Sequence, residues 1–518
     1  MKLISISLDF VELSQSLQNI ANSKRTLAMS GVMLVIFLFA IDATIVSTSM
    51  PTIIAKLGGL ELYSWVFSIY MLTSALTTPI FGKLADLYDR RNLMLVGIGV
   101  FVLGSTLCGL APSVEMLIAF RALQGLGGGA IYALAFVIVG VIYTEKQRAK
   151  MLGIISTIWG IASILGPLAG GVIVENWSWR WIFLINLPLS AVATALIVIG
   201  LSEPAAEKRA RTLDIAGAAL LLISLLLIFY VLAQTAHARQ PLNWQALGIF
   251  AAGLVALGIF LMIEKRAADP IVPLQLFHNR LFRSSVIIAT LGSFGVFGAI
   301  SYFPLYLQGA LGISASQSGT VLLILSVVWP GGSLLAGKFV PRFGYRKVAT
   351  TGMSALALGY CLLIVLRGSD HQLWVVIVSG LLIGLGMGLA SITTLTAAQA
   401  SVPRHTVGVA TSTIMLFRTF GGAFAVSAMG TVMLNFTQRG LADLRLMLSS
   451  VSDDLWEKIA HPENLLEPAM RAQIPAEVIP GLTAALADAL CYAFMTALAL
   501  MIVGLGVALS LKNEVPPS

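Results

Sequence analysis

One acidic side chain deep in an apolar stretch is the feature of this sequence that most directly suggests chemistry. Asp42 lies in Phe39-Ala-Ile-Asp-Ala-Thr-Ile-Val46, about 12 Å from the outer end of a first apolar helix that ends near Met50. An unpaired charge there costs about 3 kcal/mol or more, so it requires a partner or a water-filled cavity. Burial raises the pKa of a carboxyl group and a nearby cation lowers it, so such a group can be tuned to exchange a proton. The alternative is a purely structural polar contact between helices.

A basic side chain at similar depth could be the partner of this carboxylate. Arg121 opens the sequence Arg121-Ala-Leu-Gln124 in the fourth apolar stretch. We place Arg121 about 7 Å and Gln124 about 12 Å from the outer end of that helix. Arg121 could therefore pair with Asp42 directly, through Gln124 or through water, and protonation of Asp42 would release the pair. The alternative is a static contact in which Arg121 extends to the outer surface.

Further side chains could form a substrate cavity. Arg418, in the middle of another apolar stretch, could hold its helix in a cavity, neutralise an anionic group of a substrate, or only pack. Six aromatic side chains could line an adaptable apolar pocket, although for each one taken alone packing against lipid or core is the better explanation. They are Trp65, Tyr70, Phe294, Phe297, Tyr302 and Trp329.

The composition identifies the elements that must position these residues. Of 518 residues, 58% are hydrophobic and 11% charged, whereas a soluble domain has about 25% charged residues. A soluble chain of this length could not bury so much apolar surface, because cores stop growing at about 250–300 residues. The three cysteines are isolated in apolar stretches, so they form no disulfide framework or metal site. The fold class is therefore all-α, a polytopic membrane protein.

Fourteen apolar stretches are long enough for membrane-spanning helices. They are 27–50, 64–82, 92–111, 116–142, 151–174, 181–201, 215–236, 245–263, 284–308, 318–336, 348–366, 373–399, 407–434 and 484–511. With the N-terminus in the cytoplasm, the predicted inside segments hold 22 of the 32 basic residues and the short outside loops hold 4. This bias predicts a multi-pass protein of the cytoplasmic (inner) membrane with both termini inside. It also explains the net charge of +8 without nucleic acid.

A repeat divides the chain into two parts. Gly82-Lys-Leu-Ala-Asp-Leu-Tyr-Asp-Arg-Arg91 aligns with Gly337-Lys-Phe-Val-Pro-Arg-Phe-Gly-Tyr-Arg346 at a shift of 255 residues. Two parallel halves of six helices are a transporter architecture, with the substrate site at their interface. We predict an N-terminal half (1–205), an inserted two-helix hairpin (206–270), and a C-terminal half (271–518) with a long outside loop (435–483).

Glycine-rich segments could be mistaken for phosphate-binding loops. The glycines at 125–129 and 384–388 lie within apolar stretches with no preceding strand, which favours close helix packing. The stretch Gly332 to Lys338 has P-loop spacing, but Phe339 replaces the magnesium-binding hydroxyl residue, so an ATP-driven pump is disfavoured. Four glycines and a proline of the fifth apolar stretch could form either a bendable, gating helix or only a closely packed one. They are Gly160, Gly166, Pro167, Gly170 and Gly171.

Together these stretches resemble the major facilitator superfamily, specifically its fourteen-helix drug:proton antiporter branch. The resemblance is carried by Asp42-Ala-Thr-Ile-Val with Pro51, by 82–91, by Arg121, Gln124 and Gly125, and by the glycines and proline of 160–171. Trp179-Arg-Trp-Ile-Phe with Asn186 and Pro188 is also similar. Two positions depart from the family pattern: Asp89 replaces a usual glycine, and Pro341 replaces the acid of the second copy.

The resemblance implies roles for these positions. Asp42 would couple protons, with Arg121 and Gln124 as its partners. The loop at Gly82, Asp86, Arg90 and Arg91 would form a cytoplasmic charge latch that stabilises one conformation, and Gly166-Pro167 would shape an antiporter helix. Members of the branch often carry further acids deep in the second half, but the spans predicted between 284 and 434 contain none.

We therefore expect proton-coupled efflux of amphipathic drugs or toxic compounds by alternating access, with no enzymatic activity and no cofactor other than the proton. The nearest alternative is a transporter of one defined metabolite, such as a siderophore or a self-made antibiotic. A non-transporting scaffold or sensor and a membrane enzyme rank lower. The expected partners are small amphipathic substrates and the lipid bilayer, with a periplasmic adaptor in a Gram-negative host. We expect a functional monomer.

Overall fold

The computed structural model describes residues 2–143, 145–201, 215–237, 244–267, 270, 274–368, 371–403, 406–447, 471 and 474–511. In this part of the chain the regular elements are helices, and no strand occurs. A helix satisfies its own backbone polar groups, which is the requirement that lipid imposes on a spanning segment. The all-α prediction is confirmed.

The helices are numbered in order along the described residues. The first seven, α1 to α7, are Lys2–Leu57, Tyr63–Leu87, Arg90–Leu110, Val114–Ile142, Glu145–Asn176, Trp181–Leu184 and Asn186–Gly200. The next seven, α8 to α14, are Ile215–His237, Trp244–Glu264, Arg280–Leu305, Ala315–Val365, Gln372–Ala400, Val407–Met447 and Ile479–Leu509.

Polar side chains cap several helix starts. Ser113 Oγ accepts a hydrogen bond from the Met116 amide at the start of α4 (3.4 Å), and Asn279 Oδ1 accepts one from the Leu281 amide at the start of α10 (2.8 Å). Such caps satisfy amides that have no partner within the helix. These caps mark the residues at which α4 and α10 begin.

Twelve helical segments of the described chain are long and apolar enough to cross a membrane, so the predicted count of fourteen is not confirmed. One of the twelve is α11, which is 51 residues long and contains a break at Gly344 (φ 79°, ψ 166°). Helix α8 is 23 residues long, but its described apolar stretch covers Ala219–Ile228. Helices α8 and α9 pack against each other, and α8 also contacts α2 and α13.

Two groups of helices surround a shared interface. The first helical group is α1 to α7 and the second is α10 to α14, and each packs mainly within itself. Contacts between α5 and α11, α2 and α13, and α1 and α10 join the groups. We call the end where α3 begins, at Arg90, the basic end, and the end where α2 begins, at Tyr63, the far end.

Hydrogen bonds link the two helical groups toward the far end. They run from Tyr63 Oη to the Ser301 carbonyl (2.6 Å), from Gln308 Nε2 to the Thr48 carbonyl (3.1 Å), and from the Ser316 amide to Glu175 Oε1 (2.7 Å). Gly171 of α5 also lies against the backbone of Ala315, where an added Cβ would come within 2.7 Å of the carbonyl oxygen. The two groups are therefore in direct contact at this end.

The two copies of the repeated loop turn by different means. In the first copy Asp89 takes an extended conformation (φ −60°, ψ 119°) and accepts a hydrogen bond from the Asn92 amide (2.9 Å), which caps α3. In the second copy the aligned residue is Gly344, whose positive φ favours glycine. The departure at Asp89 thus corresponds to a side-chain cap instead of a left-handed turn.

Candidate functional site

A buried ion pair joins α1 to α4. Arg121 Nη1 donates to Asp42 Oδ2 at 2.7 Å. Asp42 is 0% exposed and Arg121 is 1% exposed. A charge-assisted hydrogen bond in such surroundings is stronger than one in water, and removal of either partner would leave an uncompensated buried charge.

Two amide side chains complete the surroundings of the carboxylate. Gln124 Nε2 donates to Asp42 Oδ1 at 2.8 Å, and Gln124 Oε1 accepts from Arg121 Nη1 at 2.8 Å, so Gln124 bridges the two charges. Asn186 Nδ2 of α7 also points at Asp42 Oδ1, at the longer distance of 3.4 Å, and donates to Ser105 Oγ at 2.9 Å. The buried carboxylate thus accepts hydrogen bonds from side chains of α4 and α7.

The guanidinium of Arg121 is fixed from its other sides. It lies over the ring of Tyr70, 3.9 Å from the ring centroid, which is a favourable cation–π distance. Its Nε donates to the Val66 carbonyl at 3.4 Å. Helix α2 therefore holds the cation in place while α4 carries it, which accounts for its full burial.

Glycines allow the close helix contacts that bring this pair together. An added Cβ on Gly104 of α3 would lie 2.6 Å from Gln124 Cα, and one on Gly125 of α4 would lie 2.6 Å from the Tyr70 carbonyl oxygen. Ser74 Oγ of α2 donates to the Gly125 carbonyl at 3.0 Å. The glycine-rich stretch at 125–129 thus lies within α4 and packs against its neighbours.

A cavity lies between the two helical groups, on the basic-end side of the contact that joins them. Helices α1, α5, α10 and α11 line it, with Ala43, Thr44, Ser47, Trp159, Ser163, Pro167, Phe297, Ile300, Leu322, Ser326 and Trp329. The lining is mostly apolar with a few hydroxyl groups.

Asp42 faces away from this cavity although its neighbours in sequence line it. Ala43, Thr44 and Ser47 border the cavity, whereas Asp42 is enclosed between α1, α4 and α7. One helix therefore carries the buried ion pair on one face and part of the cavity wall on another.

The sequence comparison decides the family. A sequence model of the Major Facilitator Superfamily matches residues 32–426. The chain belongs to this superfamily. It is a membrane transporter of the major facilitator type that handles small substrates, and it is not an enzyme.

Two relatives of this superfamily member come from Bacillus subtilis (strain 168). The Multidrug transporter protein MdtP is 37% identical over 507 residues, which cover 95% of this chain and 93% of the relative. Multidrug resistance protein 3 is 31% identical over 470 residues, which cover 90% and 91%. The resemblance noted from the motifs is thus confirmed at the level of the family.

A solved structure agrees in fold. The inward-facing, occupied structure of a bacterial homologue of the human lysosomal transporter Spinster superposes with a TM-score of 0.67 at 17% identity, covering 93% of this chain and 96% of that chain. At this identity the likeness concerns the fold.

Helix α5 of this transporter contains the glycines and proline that resemble an antiporter motif, and it packs against both helical groups. Gly166 and Gly170 lie against the side chains of Thr44 and Thr48 of α1, and Thr44 Oγ1 donates to the Ala162 carbonyl at 3.2 Å. Gly160 faces Pro330 of α11 at 3.6 Å from an added Cβ, and Pro167 borders the cavity. Small residues on α5 therefore fit it between α1 and α11.

The six predicted cavity aromatics lie in different places. Phe297 and Trp329 border the cavity and contact each other edge to face, with ring centroids 6.5 Å apart. Phe294 packs on Phe424, and Tyr302 donates to the Val426 carbonyl (2.5 Å). Trp65 packs beside Leu72 in an apolar cluster, and Tyr70 lies under Arg121.

The predicted latch cannot be assembled from the described side chains. Gly82 lies near the basic end of α2, and Arg90 and Arg91 begin α3, but the side chain of Asp86 lies outside the described part. The latch therefore stays a prediction.

Asn186 is the polar neighbour of Asp42 that residue chemistry alone did not reveal. It lies 144 positions along the chain from Asp42, and a lone asparagine near a span boundary carries no chemical signal. The signal that could have identified it is the similarity of Trp179-Arg-Trp-Ile-Phe with Asn186 and Pro188 to the family pattern. Trp159, Ser163 and Ser326 of the cavity were likewise not selected.

Proposed function

We propose that this transporter exports amphipathic compounds from the cytoplasm by alternating access, in exchange for protons. The observation that carries the proposal is the Asp42–Arg121 pair, a fully buried carboxylate 2.7 Å from a guanidinium within membrane-spanning helices. A buried ionisable group in a span is expensive and points to a functional site.

Proton binding at Asp42 would weaken three contacts at once. Neutralisation removes the attraction of Arg121 and weakens the charge-assisted hydrogen bonds from Gln124 and Asn186. These donors belong to α4 and α7, while the carboxylate belongs to α1. Protonation would therefore loosen α1 from the rest of the first helical group.

Helix α1 would transmit that change to the substrate. Thr44 and Ser47 border the cavity, and the Thr48 carbonyl accepts the hydrogen bond from Gln308 that helps to join the groups. A shift of α1 would alter the cavity wall and the contact at the far end together. Alternating access requires this kind of coupling between a proton site, a cavity and a closed end.

Amphipathic compounds are the substrate class that the cavity favours. Its aromatic and aliphatic walls would bind apolar groups, and its hydroxyl groups would orient polar ones. The relatives named as multidrug transporters support this breadth, and efflux is the direction we propose.

The same proposal includes the membrane topology. Division of α11 at Gly344 and inclusion of α8 would give fourteen spans, with α8 and α9 as a hairpin between two halves. The basic end would face the cytoplasm, because basic residues concentrate in the predicted inside loops. We propose the cytoplasmic membrane as the location and a monomer as the functional unit.

The test is substrate accumulation in everted vesicles that acidify their interior. Amphipathic fluorescent dyes should accumulate with the native protein, and the gradient should collapse with an uncoupler. Asp42→Asn at equal abundance should abolish this accumulation. Asp488→Asn is the matched control, because its carboxylate is 47% exposed in a pair with Arg367. If Asp42→Asn still builds a gradient that an uncoupler collapses, the assignment of Asp42 is wrong.

A further inference from the structure

A second arginine lies within a span and takes no part in the ion pair that the proposed mechanism uses. Arg418 is in α13 of the second helical group and is partly buried. Gly422, one turn further along the same face, packs against the ring of Phe297, which borders the cavity. Arg418 therefore lies on the basic-end side of the cavity.

The described structure gives this guanidinium no carboxylate partner. Its Nη1 contacts the sulfur of Met415 at 4.0 Å, a weak acceptor within its own helix. The spans predicted between 284 and 434 contain no Asp or Glu, and Asp42 already pairs with Arg121. An arginine carries five donors, so most of the hydrogen-bonding capacity of Arg418 is open to a ligand.

An aromatic cluster of the first helical group begins near Arg418 and ends at the cavity. Tyr132 of α4 lies close enough to interact electrostatically with Arg418. Its ring packs against those of Phe39 and Trp159, with centroids 5.2 Å and 6.3 Å apart, and Trp159 borders the cavity. The three rings form an aromatic wall that connects the neighbourhood of Arg418 with the cavity.

This arrangement is complementary to an aromatic compound with an acidic group. The planar guanidinium can bind a carboxylate with two parallel hydrogen bonds, and such a bond in a poorly solvated cavity is strong. The aromatic wall would receive the apolar part of the same molecule. A simple lipophilic cation would instead be repelled by Arg418, since the spans predicted between 284 and 434 contain no Asp or Glu that could offset its charge.

We propose that Arg418 binds the carboxylate of the transported compound, so that amphipathic aromatic acids and zwitterions are the preferred cargo. This inference rests on the proposed transport function and names its substrate class.

A matched dye pair tests it: rhodamine B, which carries a free carboxylate, and its ethyl ester, which does not. Uptake of both dyes into proteoliposomes under an imposed pH gradient is compared for native protein, Arg418→Gln, Arg418→Lys and Arg439→Gln. Arg439 lies on the same helix but is exposed, so its variant controls for loss of a positive charge. Binding of each dye to the detergent-solubilised variants is measured by fluorescence anisotropy.

We expect Arg418→Gln to weaken binding and uptake of the acid by about tenfold or more, since it removes a charge-assisted contact. The ester should change by less than about twofold, and Arg418→Lys should recover part of the loss because it keeps the charge without the planar fork. Arg439→Gln should behave like the native protein with both dyes.

Three outcomes would overturn the inference. The first is an equal loss of binding and uptake for acid and ester in Arg418→Gln, which indicates a packing role. The second is no change for either dye in Arg418→Gln. The third is a native protein that prefers the ester. If the native protein moves neither dye but binds the acid in an Arg418-dependent way, the proposed transport function fails and the binding site stands.

Discussion

The Nη1 atom of Arg121 lies 2.7 Å from Oδ2 of Asp42, and neither side chain is accessible from outside the protein. Two charges that share one enclosed site depend on each other, because each neutralises the other where water cannot. Single substitutions therefore have consequences that differ from those of a double substitution.

We predict that Asp42→Asn and Arg121→Gln each lower the free energy of unfolding by about 3 to 5 kcal/mol, because each leaves one buried charge unpaired. The double variant should recover much of that loss, since two neutral amides can bond to each other. Thermal unfolding in detergent measures all three. Strictly additive losses would contradict a direct pair at this site.

Asn186 is predicted to position Asp42. Asn186→Ala removes a donor that points at the carboxylate and should cost about 1 kcal/mol of stability. Because the carboxylate loses one of its donors, Asn186→Ala should transport more slowly than the native protein. Asn176→Ala is the control, since Asn176 is exposed and bonds to the Val172 carbonyl of its own helix. Equal transport by Asn186→Ala and Asn176→Ala would show that Asn186 does not position Asp42.

Gly104 is predicted to be intolerant of any side chain. An added methyl group would overlap the backbone of α4 at Gln124, so Gly104→Ala should destabilise the protein by about 1 to 3 kcal/mol and reduce transport. Gly99→Ala is the matched control on the same helix, because no atom lies within 4 Å of its added Cβ. Gly99→Ala should leave stability equal or higher, as alanine favours helices. Equal effects of the two variants would refute close packing of α3 on α4.

The two loop copies should respond differently to substitution. Gly344→Ala forces alanine into a conformation that favours glycine (φ 79°) and should cost about 1 to 3 kcal/mol. Gly337→Ala, a helical position with open space, should cost nothing. Asp89→Ala should cost about 1 kcal/mol by loss of the cap, and Asp89→Asn should retain it. The unfolding midpoints of the four variants test these expected differences in stability.

The estimated distances of Asp42, Arg121 and Gln124 from the outer ends of their helices were enough to predict that the three side chains lie together. Each lies on a long helix with a known rise per residue, and a buried charge needs a partner at its own level. The all-α membrane class follows as directly, because the composition leaves no soluble alternative.

The positions of the aromatic residues could not be predicted in the same way. Spanning helices are apolar on all sides, so periodicity does not separate a face toward lipid from a face toward a cavity. Phe294 and Phe297 lie three residues apart, and Phe297 borders the cavity while Phe294 packs on Phe424. The number of spans differs at α11, where the two predicted spans 318–336 and 348–366 lie in one 51-residue helix with a break at Gly344, and at α8, whose described apolar stretch is Ala219–Ile228.

Helix α1 presents Asp42 to one set of neighbours and Thr44 to another. Substitutions in the cavity wall can therefore accumulate without disturbing the enclosed charges two positions away. Under the proposed function, a lineage could broaden or narrow the range of compounds it carries while the Asp42–Arg121 pair stays constant.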